Sequence, residues 1–265
     1  MPTTIAVCNK KGGVAKTTTA VNLASALVRE NKKVLVLDLD QQHDATKIFA
    51  APNTTLTKTI SDLLEQPDEV CASECICHSA EGIDFIGSSN RLTSTEIRLA
   101  GEVYRETILK LALETVKVSY DYIIIDCPPS MGLLTINALA AADSVIIPIK
   151  ANDFSSLDGF AELMKYIKIT KMQTNPALHV AGLLLTYYSA ATNIAKLVCQ
   201  RVEGIAGVPV LQSKIRLSTT VAETPAVRKT IFQYKASNKA AADYQTLAKE
   251  VIRLYEPKTA TNGCR

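Results

Sequence analysis

The alternation of short β-branched apolar runs with longer amphipathic stretches constrains the fold of this chain most strongly. The apolar runs predict strands at Thr4–Cys8, Val34–Leu39, Ile83–Ile86, Tyr122–Ile125, Ser144–Ile149 and Val180–Leu185. The amphipathic stretches predict helices at Thr17–Arg29, Thr95–Val118 and Ser155–Lys168. Continuous apolar strands separated by helices form parallel sheets that are covered on both faces. We therefore predict an α/β fold, a doubly wound, mostly parallel sheet flanked by helices, with ligands at the carboxyl ends of its strands.

The length and composition favour one domain. The chain has 265 residues, of which 47% are hydrophobic, and this suffices for one large core. No Gly/Ser linker, low-complexity block or repeat divides it, so we predict a single domain over 1–255 and a flexible tail over 256–265. No apolar run is long enough to cross a bilayer. The seven cysteines are odd in number and irregularly spaced, which favours a reducing cytoplasm.

A glycine-containing loop, Lys10–Thr18, follows the first predicted strand and precedes a helix. Backbone amides at such a turn bind anions, so we expect Lys16 to reach the β- and γ-phosphates of a nucleotide and Thr17 to reach Mg²⁺. The strict pattern G-x-x-x-x-G-K-[ST] fails twice, because Lys10 and Ala15 occupy its glycine positions. For the loop taken alone, a basic strand-to-helix turn without a ligand is the alternative.

The string KKGGVAKTT resembles the deviant Walker A motif of the ParA/Soj-like P-loop ATPases, with Lys11 as the signature lysine. VLVLDLDQQHDAT, Val34–Thr46, resembles the first switch of that family. DYIIIDCPPSMGLLTINAL, Asp121–Leu139, resembles its Walker B strand and second switch. Later matches extend the resemblance over nearly the whole chain, which is most similar to the short ParA or Soj-like forms: Gly182–Lys196, Lys214–Val227 and Lys235–Val251.

The resemblance implies ATP and Mg²⁺ as cofactors and assigns a role to each loop. Lys11 would reach across a dimer interface to the partner's ATP, so a nucleotide-sandwich homodimer is expected. Asp40 would position or activate the attacking water, and it forms the catalytic set with Lys11 and Lys16. Mg²⁺ would be held by Thr17, by Asp38 through the metal shell, and by Asp126 through water. The ATP-binding residues would be Lys11, Gly12, Gly13, Val14, Ala15, Lys16, Thr17 and Thr18.

Three positions depart from the family pattern. Gln41 replaces the proline usually found after the catalytic aspartate, and Asp44 stands where the family commonly has asparagine. Both changes lie in the first switch, so they bear on the switch chemistry and on the hydrolysis rate. Ala191 occupies a position where the family often places a DNA-contacting arginine. Because the chain starts directly with the first strand, we expect it to lack the N-terminal helix-turn-helix of longer ParA proteins.

The C-terminal third is basic. Between Ala191 and Lys239 there are eight basic and two acidic residues, a local net charge of +6 against +3 for the whole chain. Such a concentration suits sequence-independent binding to phosphates, although a solvated charged face is an equal alternative. The resemblance implies a DNA contact at Arg216, and the absence of an aromatic ladder favours duplex over single-stranded DNA. The predicted DNA-binding residues are Lys196, Lys214, Arg216, Arg228, Lys229 and Lys235.

The predicted function is ATP-dependent DNA partition, in which the ATP dimer binds nonspecific double-stranded DNA and hydrolysis releases it. A ParB-like centromere-binding partner would stimulate hydrolysis, and the protein would be cytoplasmic and nucleoid-associated. The alternatives are a MinD-like membrane-positioning ATPase, a carrier of protein cargo over the nucleoid, and a small-molecule enzyme of the same superfamily. The MinD-like role requires a basic amphipathic helix at the end, and the tail EPKTATNGCR has almost no apolar face, so no membrane partner is expected.

Two further groups of residues allow alternative interpretations. Cys71, Cys75, Cys77 and His78 are four soft ligands within eight positions, but a structural zinc site usually takes paired cysteines from two segments. We therefore favour no metal there. Tyr187 and Tyr188 would lie near the adenine in the family, although core tyrosines at a strand end are at least as frequent.

Overall fold

The structure is a computed structural model, and it describes residues 2–52 and 54–256. Within these residues, eight strands form one sheet. They are β1 (Thr3–Val7), β2 (Val34–Asp38), β3 (Ile76–His78), β4 (Asp84–Ile86), β5 (Tyr122–Asp126), β6 (Ser144–Lys150), β7 (His179–Tyr188) and β8 (Val210–Arg216). Their order is β3-β4-β2-β5-β1-β6-β7-β8. The β3–β4 pair is antiparallel and the other neighbouring pairs are parallel. This confirms the predicted doubly wound, mostly parallel sheet.

Helices connect the strands and cover the sheet. They are α1 (Lys16–Arg29), α2 (Asp44–Phe49), α3 (Ile60–Glu65), α4 (Leu92–Leu99), α5 (Ile108–Lys117), α6 (Leu133–Ala141), α7 (Phe160–Gln173), α8 (Asn193–Glu203), α9 (Thr219–Val227), α10 (Ile231–Lys235) and α11 (Lys239–Tyr255). None of the helices in the described ranges has the length and apolar character that crossing a bilayer requires.

Two cores, one on each face of the sheet, hold the layers together. Ile5 and Val7 of β1 pack on the face covered by α1, α2, α10 and α11. Ala6 and the adjoining Cys8 pack on the opposite face, beneath α3, α5, α6, α7 and α8. Each fully buried aliphatic side chain contributes about 1.5–3 kcal/mol. Because both faces are covered, every residue of β1, β2 and β5 is buried, which explains their continuous apolar sequence.

All six predicted strands are present, but β3 and β8 were not predicted. β3 has only three residues. In β8 the side chains alternate between buried and more exposed positions, because this strand lies at the edge of the sheet. Polar residues interrupt its sequence, so it lacks the continuous apolar run that predicted the other strands.

The prediction of one helix over Thr95–Val118 was wrong, because α4 and α5 are separate helices. Between them, Tyr104 adopts a left-handed backbone conformation with φ of 56°. The guanidinium of Arg105 donates to the carbonyl of Ala100 at 2.6 Å and ends α4. Apolar periodicity continues across this break, so the pattern did not reveal it.

The helix predicted over Ser155–Lys168 begins later than expected, at Phe160, and extends to Gln173. Asp153 accepts a hydrogen bond from the amide of Ser155 at 2.9 Å and starts a separate short 3₁₀ turn. Gly159, with φ of 82°, then redirects the chain. A left-handed residue of this kind interrupts helical geometry.

The predicted flexible tail falls mostly outside the described residues, which end at Glu256. The carboxylate of Glu256 accepts hydrogen bonds from Lys32 Nζ at 2.7 Å and from the Tyr122 hydroxyl at 3.0 Å. This residue therefore attaches the end of α11 to the amino-terminal edge of the sheet.

Candidate nucleotide-binding site

The loop between β1 and α1 has the conformation of an anion-binding turn. Gly13 has φ of 72°, which glycine adopts without strain. Ala15, at the N-cap of α1, has φ of 71°, a conformation that costs a residue with a Cβ about 1–2 kcal/mol. Ala15 thus adopts the left-handed conformation that a glycine would have at this position. The first amides of α1 face the loop and can bind an anion there.

Side chains from other elements anchor this loop. Asn9 donates to the carbonyl of Pro148 at 2.8 Å and accepts from the amide of Lys11 at 3.0 Å. The hydroxyl of Thr186 donates to the carbonyl of Val14 at 3.1 Å. The loop is thus held by β6 and β7 on one side of β1.

The ammonium of Lys16 lies inside the loop and donates to the carbonyl of Lys11 at 3.0 Å. Lys16 is only 7% exposed. Burial lowers the pKa of Lys16, while Asp126 acts in the opposite direction. A cation held this way is pre-positioned for an anionic ligand.

Asp38 holds the segment that follows β2. Its carboxylate accepts hydrogen bonds from the amide and hydroxyl of Thr46, at 2.8 and 2.6 Å, and from the amide of Asp40 at 3.1 Å. Burial raises the pKa of Asp38 above its ordinary value. Asp38 therefore positions Asp40, whose own carboxylate is half-buried and accepts from the amide of Gln42 at 3.0 Å.

Asp126 is the unsatisfied group of the site. It lies at the end of β5, in register with Asp38 on β2 and Val7 on β1. Its carboxyl is fully buried, and neither oxygen has a hydrogen bond of ordinary geometry among the described residues, although the Thr17 hydroxyl is near enough to act against the rise in the pKa of Asp126. Burial, followed by the nearby Asp38, raises its pKa well above the usual value. Such a group is costly unless a cation or its water joins it, so Asp126 fits Mg²⁺, with Thr17 on the adjacent first turn of α1.

Two adjoining cavities open at this edge of the sheet. The first, of about 240 Å³, is lined by the loop from Gly12 to Thr18 together with Asp40. The second, of about 190 Å³, is more apolar and is lined by side chains that include Val221 and Tyr244. The cavities share four lining residues, which are Ala15, Thr18, Tyr187 and Pro225. A phosphate chain fits the first cavity, and an apolar ring fits the second.

Helix α9 was not predicted to line this site, yet Val221 and Pro225 do so. Of the two candidate tyrosines, Tyr187 lines both cavities, whereas Tyr188 lines neither. The ring of Tyr188 instead lies under Lys214 Nζ, at 4.8 Å from its centroid. The segment Lys214–Val227 was matched to the family without being assigned to this site, and Ser218, whose hydroxyl accepts from the amide of Val221 at the N-cap, is the local signal for α9.

Helix α4 contacts the loops after both β2 and β5. The hydroxyl of Thr93 donates to the side-chain oxygen of Gln41 at 2.5 Å. On the other side, Glu96 accepts from the amide of Leu134 at 3.3 Å, and its carboxylate lies where a Cβ on Gly132 would be. Gln41 thus forms a polar contact that a proline there lacks.

The predicted DNA-binding residues lie on or beside several elements, β8, α8, α9 and α10. Arg216 forms a bidentate ion pair with Asp243: its Nε and Nη2 each donate to a carboxylate oxygen at 2.7 Å. Lys196 is exposed on α8. Arg228 instead ends α9 and lines a different cavity, with His43 and Lys47. Lys229 follows Arg228, and Lys235 is exposed at the end of α10.

The Cys71–His78 segment does not assemble ligands. Cys71 is exposed and Cys75 is buried, while His78 pairs with Asp84 at 2.6 Å. No cluster of at least three metal-ligating side chains occurs among the described residues. Cys127, beside Asp126, is fully buried and belongs to the core beneath α6.

Comparisons with known proteins identify the family of the chain. A family model described as AAA domain matches residues 2–180. The chain is 39% identical over 248 residues to the sporulation initiation inhibitor protein Soj of Bacillus subtilis, covering 93% of this chain and 97% of Soj. It is 35% identical over 257 residues to the chromosome partitioning protein ParA of Myxococcus xanthus, covering 96% and 89%.

A solved structure is similar over the whole fold. The cobyrinic acid a,c-diamide synthase from Mycobacterium smegmatis, with bound ADP and magnesium, superposes with a TM-score of 0.85 at 30% identity. The match covers 97% of this chain and 96% of that one. The same relative has also been solved with a bound ATP analog and magnesium, which agrees with the predicted cofactors, ATP and Mg²⁺. On these matches and on its loop, the chain belongs to the ParA/Soj-like P-loop ATPases with a deviant Walker A motif.

Proposed function

We propose that this chain is a DNA-partition ATPase whose ATP-bound sandwich dimer binds nonspecific duplex DNA and releases it on hydrolysis. One observation carries the proposal: the buried cation of Lys16 lines the same cavity as Asp40, and the fully buried carboxyl of Asp126 is close enough to Lys16 to oppose the lowering of its pKa. That pairing suits a magnesium–nucleotide ligand because each buried charge gains a partner from it.

The residues divide the chemistry among them. The amides of Gly12–Thr18 and the ammonium of Lys16 would bind the phosphates, and Asp126 and Thr17 would hold Mg²⁺. When bound, Mg²⁺ neutralises charge that develops on the phosphates. Asp40 is half-buried at the mouth of the same cavity and orients the attacking water. Asp38 keeps Asp40 in place through the amide bond already described.

Lys11 acts between subunits in this proposal. Its amide is fixed by Asn9 and its side chain is half-buried at the surface of the loop, so it is available to a second subunit's nucleotide. A dimer formed this way doubles the number of exposed cations that face DNA. Five of the six predicted DNA-binding residues are exposed, and Lys214 is half-buried.

The cellular setting follows from this cycle. The protein acts in the cytoplasm, associated with the nucleoid, and a ParB-like protein bound at a centromere stimulates hydrolysis. The name of the Myxococcus xanthus relative, chromosome partitioning protein ParA, supports a role in partition.

The test combines light scattering after gel filtration with fluorescence anisotropy on two unrelated DNA duplexes, each with ATP, with ADP and without nucleotide. We expect the protein to dimerise and to bind DNA only when ATP is present, with equal affinity for the two duplexes. Monomers with ATP, or equal DNA affinity with ADP, would contradict the proposal. Sedimentation with liposomes and ATP tests the MinD-like alternative, which requires co-sedimentation.

A second candidate is an enzyme that acts on a small molecule, favoured by the name of the Mycobacterium smegmatis relative. It predicts that the rate of ATP hydrolysis per protein molecule changes neither when duplex DNA is added nor when the protein concentration is raised. Turnover that rises with protein concentration, as a dimer requires, would exclude this candidate.

A further inference from the structure

A groove of about 430 Å³ lies away from the nucleotide cavities, between the segment around Val70 and the first half of α5. Ile108 and Ala112 line it from the helix side and pack against the core. Cys71 lines it from the other side. None of the residues lining this groove also lines the nucleotide cavities.

Large apolar side chains surround this groove and face solvent. Val103 is 77% exposed, Tyr104 76% and Leu111 63%, and all three line the groove. Val118, the residue that caps the C-terminus of α5, is also exposed but does not line the groove. Single exposed apolar residues are ordinary, but a cluster around a concave surface marks an interaction site.

The rim of the groove is acidic. Asp68 and Glu102 line it, and no lysine, arginine or histidine is among the described residues that do so. Beside these lining residues in the chain, Glu69 is exposed and Glu114 pairs with Lys117 at 3.8 Å. The basic neighbours already have partners, because Arg105 pairs with Glu106 at 3.0 Å and Lys110 donates to the carbonyl of Thr174 at 3.3 Å. A partner that fills the apolar floor while bringing positive charge satisfies both features.

Tyr104 is held in its exposed position by backbone geometry. Its φ of 56° is unusual for a bulky residue, and its carbonyl accepts from the amide and hydroxyl of Thr107 at 2.8 and 3.0 Å. The aromatic ring is therefore presented from a fixed turn. A preorganised aromatic group loses little conformational freedom on binding.

We propose that this groove binds a segment of another protein in which large apolar side chains are flanked by lysine or arginine. A second copy of this chain docked through the same face would place Asp68 and Glu102 of both copies together, and like charges oppose that arrangement. The proposal goes beyond the proposed function, because the groove and the nucleotide site share no residue.

The test uses the full chain and a fluorescent synthetic peptide of leucine and lysine with leucines at i, i+3 and i+4 spacing. Anisotropy measures its binding to wild type, Leu111→Ser and Glu102→Lys. The matched controls are Met172→Ser, another largely exposed apolar residue, and Glu203→Lys, another exposed acid. Alkylation of Cys71, read by mass spectrometry, reports occupancy of the groove directly.

We expect affinity to fall about tenfold in each groove variant and to stay near wild type in each control. Peptide should also slow alkylation of Cys71. Equal affinity for all variants, unchanged Cys71 reactivity or no binding would overturn the proposal. A wild-type oligomer that Leu111→Ser dissociates without nucleotide would identify a second copy as the occupant and overturn it too. Loss of ATP binding in any groove variant would instead indicate misfolding, and Tyr104→Ser then replaces that variant in the same assay.

Discussion

The loop end of the nucleotide site and the basic C-terminal surface both carry charged side chains, but those of the nucleotide site are buried and those of the basic surface are mostly exposed. Lys16, Asp38 and Asp126 are 7%, 2% and 0% exposed, and they converge at the ends of adjacent strands. Arg216 and Lys196 are exposed, and Arg216 already has a partner in Asp243.

This difference predicts how much each charge contributes. A buried charge without a partner is costly, so a ligand that supplies one gains a large free energy. An exposed ion pair contributes about 0–1 kcal/mol and is screened by salt. Substitutions at the loop end of the nucleotide site should therefore have large, specific effects, and those on the basic surface small, cumulative ones.

The largest effect is expected for Asp40→Ala. Removal of the group that orients water should lower ATP turnover by about 10²–10⁴-fold, while ATP binding is retained and the ATP dimer accumulates. Phosphate release, calorimetric titration and light scattering measure the three quantities. Asp40→Asn, which keeps the size but not the charge, should behave alike. An Asp40→Ala protein that binds ATP as a monomer would show that the assignment is wrong.

Lys16→Ala should weaken ATP binding by about 100-fold, since it removes a buried cation from the phosphates. The matched control is Lys10→Ala, which removes an exposed lysine of the same loop that pairs with Glu162. Calorimetric titration compares the two. Similar affinity losses in both variants would remove the contrast between buried and exposed charge.

Lys11→Ala separates ATP binding within a subunit from dimerisation, the two roles that we assign to the loop. Because the missing charge belongs to the partner's site, we expect ATP binding to persist and the dimer to dissociate about tenfold more readily. Light scattering over a range of protein concentrations measures this, with Lys10→Ala again as the control. Wild-type dimerisation would reduce Lys11 to an ordinary basic loop residue.

Asp126→Asn should stabilise the nucleotide-free protein by about 1 kcal/mol, because a charge without a partner no longer has to be buried. The pKa of Asp126 is higher in the folded protein than in the unfolded chain. Ionised Asp126 therefore lowers the stability of the folded protein, and does so fully at a pH above the folded-state pKa. The penalty fades as the pH falls towards the pKa of the unfolded chain. Thermal melts should therefore show a larger gain at pH 8 than at pH 5.

Two comparisons control this effect. Asp158→Asn removes an exposed carboxylate and should leave the melting temperature near that of the wild type. Mg²⁺ with ATP should stabilise the wild type and not Asp126→Asn. A lower melting temperature for nucleotide-free Asp126→Asn would mean that the carboxylate has a stabilising partner.

The smallest effect is expected on the basic surface. Arg216→Ala should weaken duplex binding only by roughly twofold, because Asp243 already offsets its charge. Asp243→Asn should instead strengthen binding and steepen its salt dependence, as it releases that charge. Anisotropy with ATP across a salt series tests the pair. Weaker binding by Asp243→Asn would show that the ion pair shapes the DNA surface.

The sequence was sufficient where function resides in consecutive residues. An anion-binding turn needs amides, a glycine and a lysine in one short segment, so Gly12–Thr18 was recognisable directly. Asp38 and Asp126 end apolar strands, and parallel topology brings such ends to one edge of the sheet. The pattern therefore predicted the sheet and the candidate phosphate site together.

Tertiary structure decided everything that joins distant segments. The second cavity combines β7, α9 and α11, and the Arg216–Asp243 pair spans 27 residues. The acidic groove joins Asp68 to Leu111 across a break between α4 and α5 that apolar periodicity does not reveal. Periodicity and motifs record which face of an element is buried. Which residue of one element meets which residue of another depends on packing, and no local pattern contains that information.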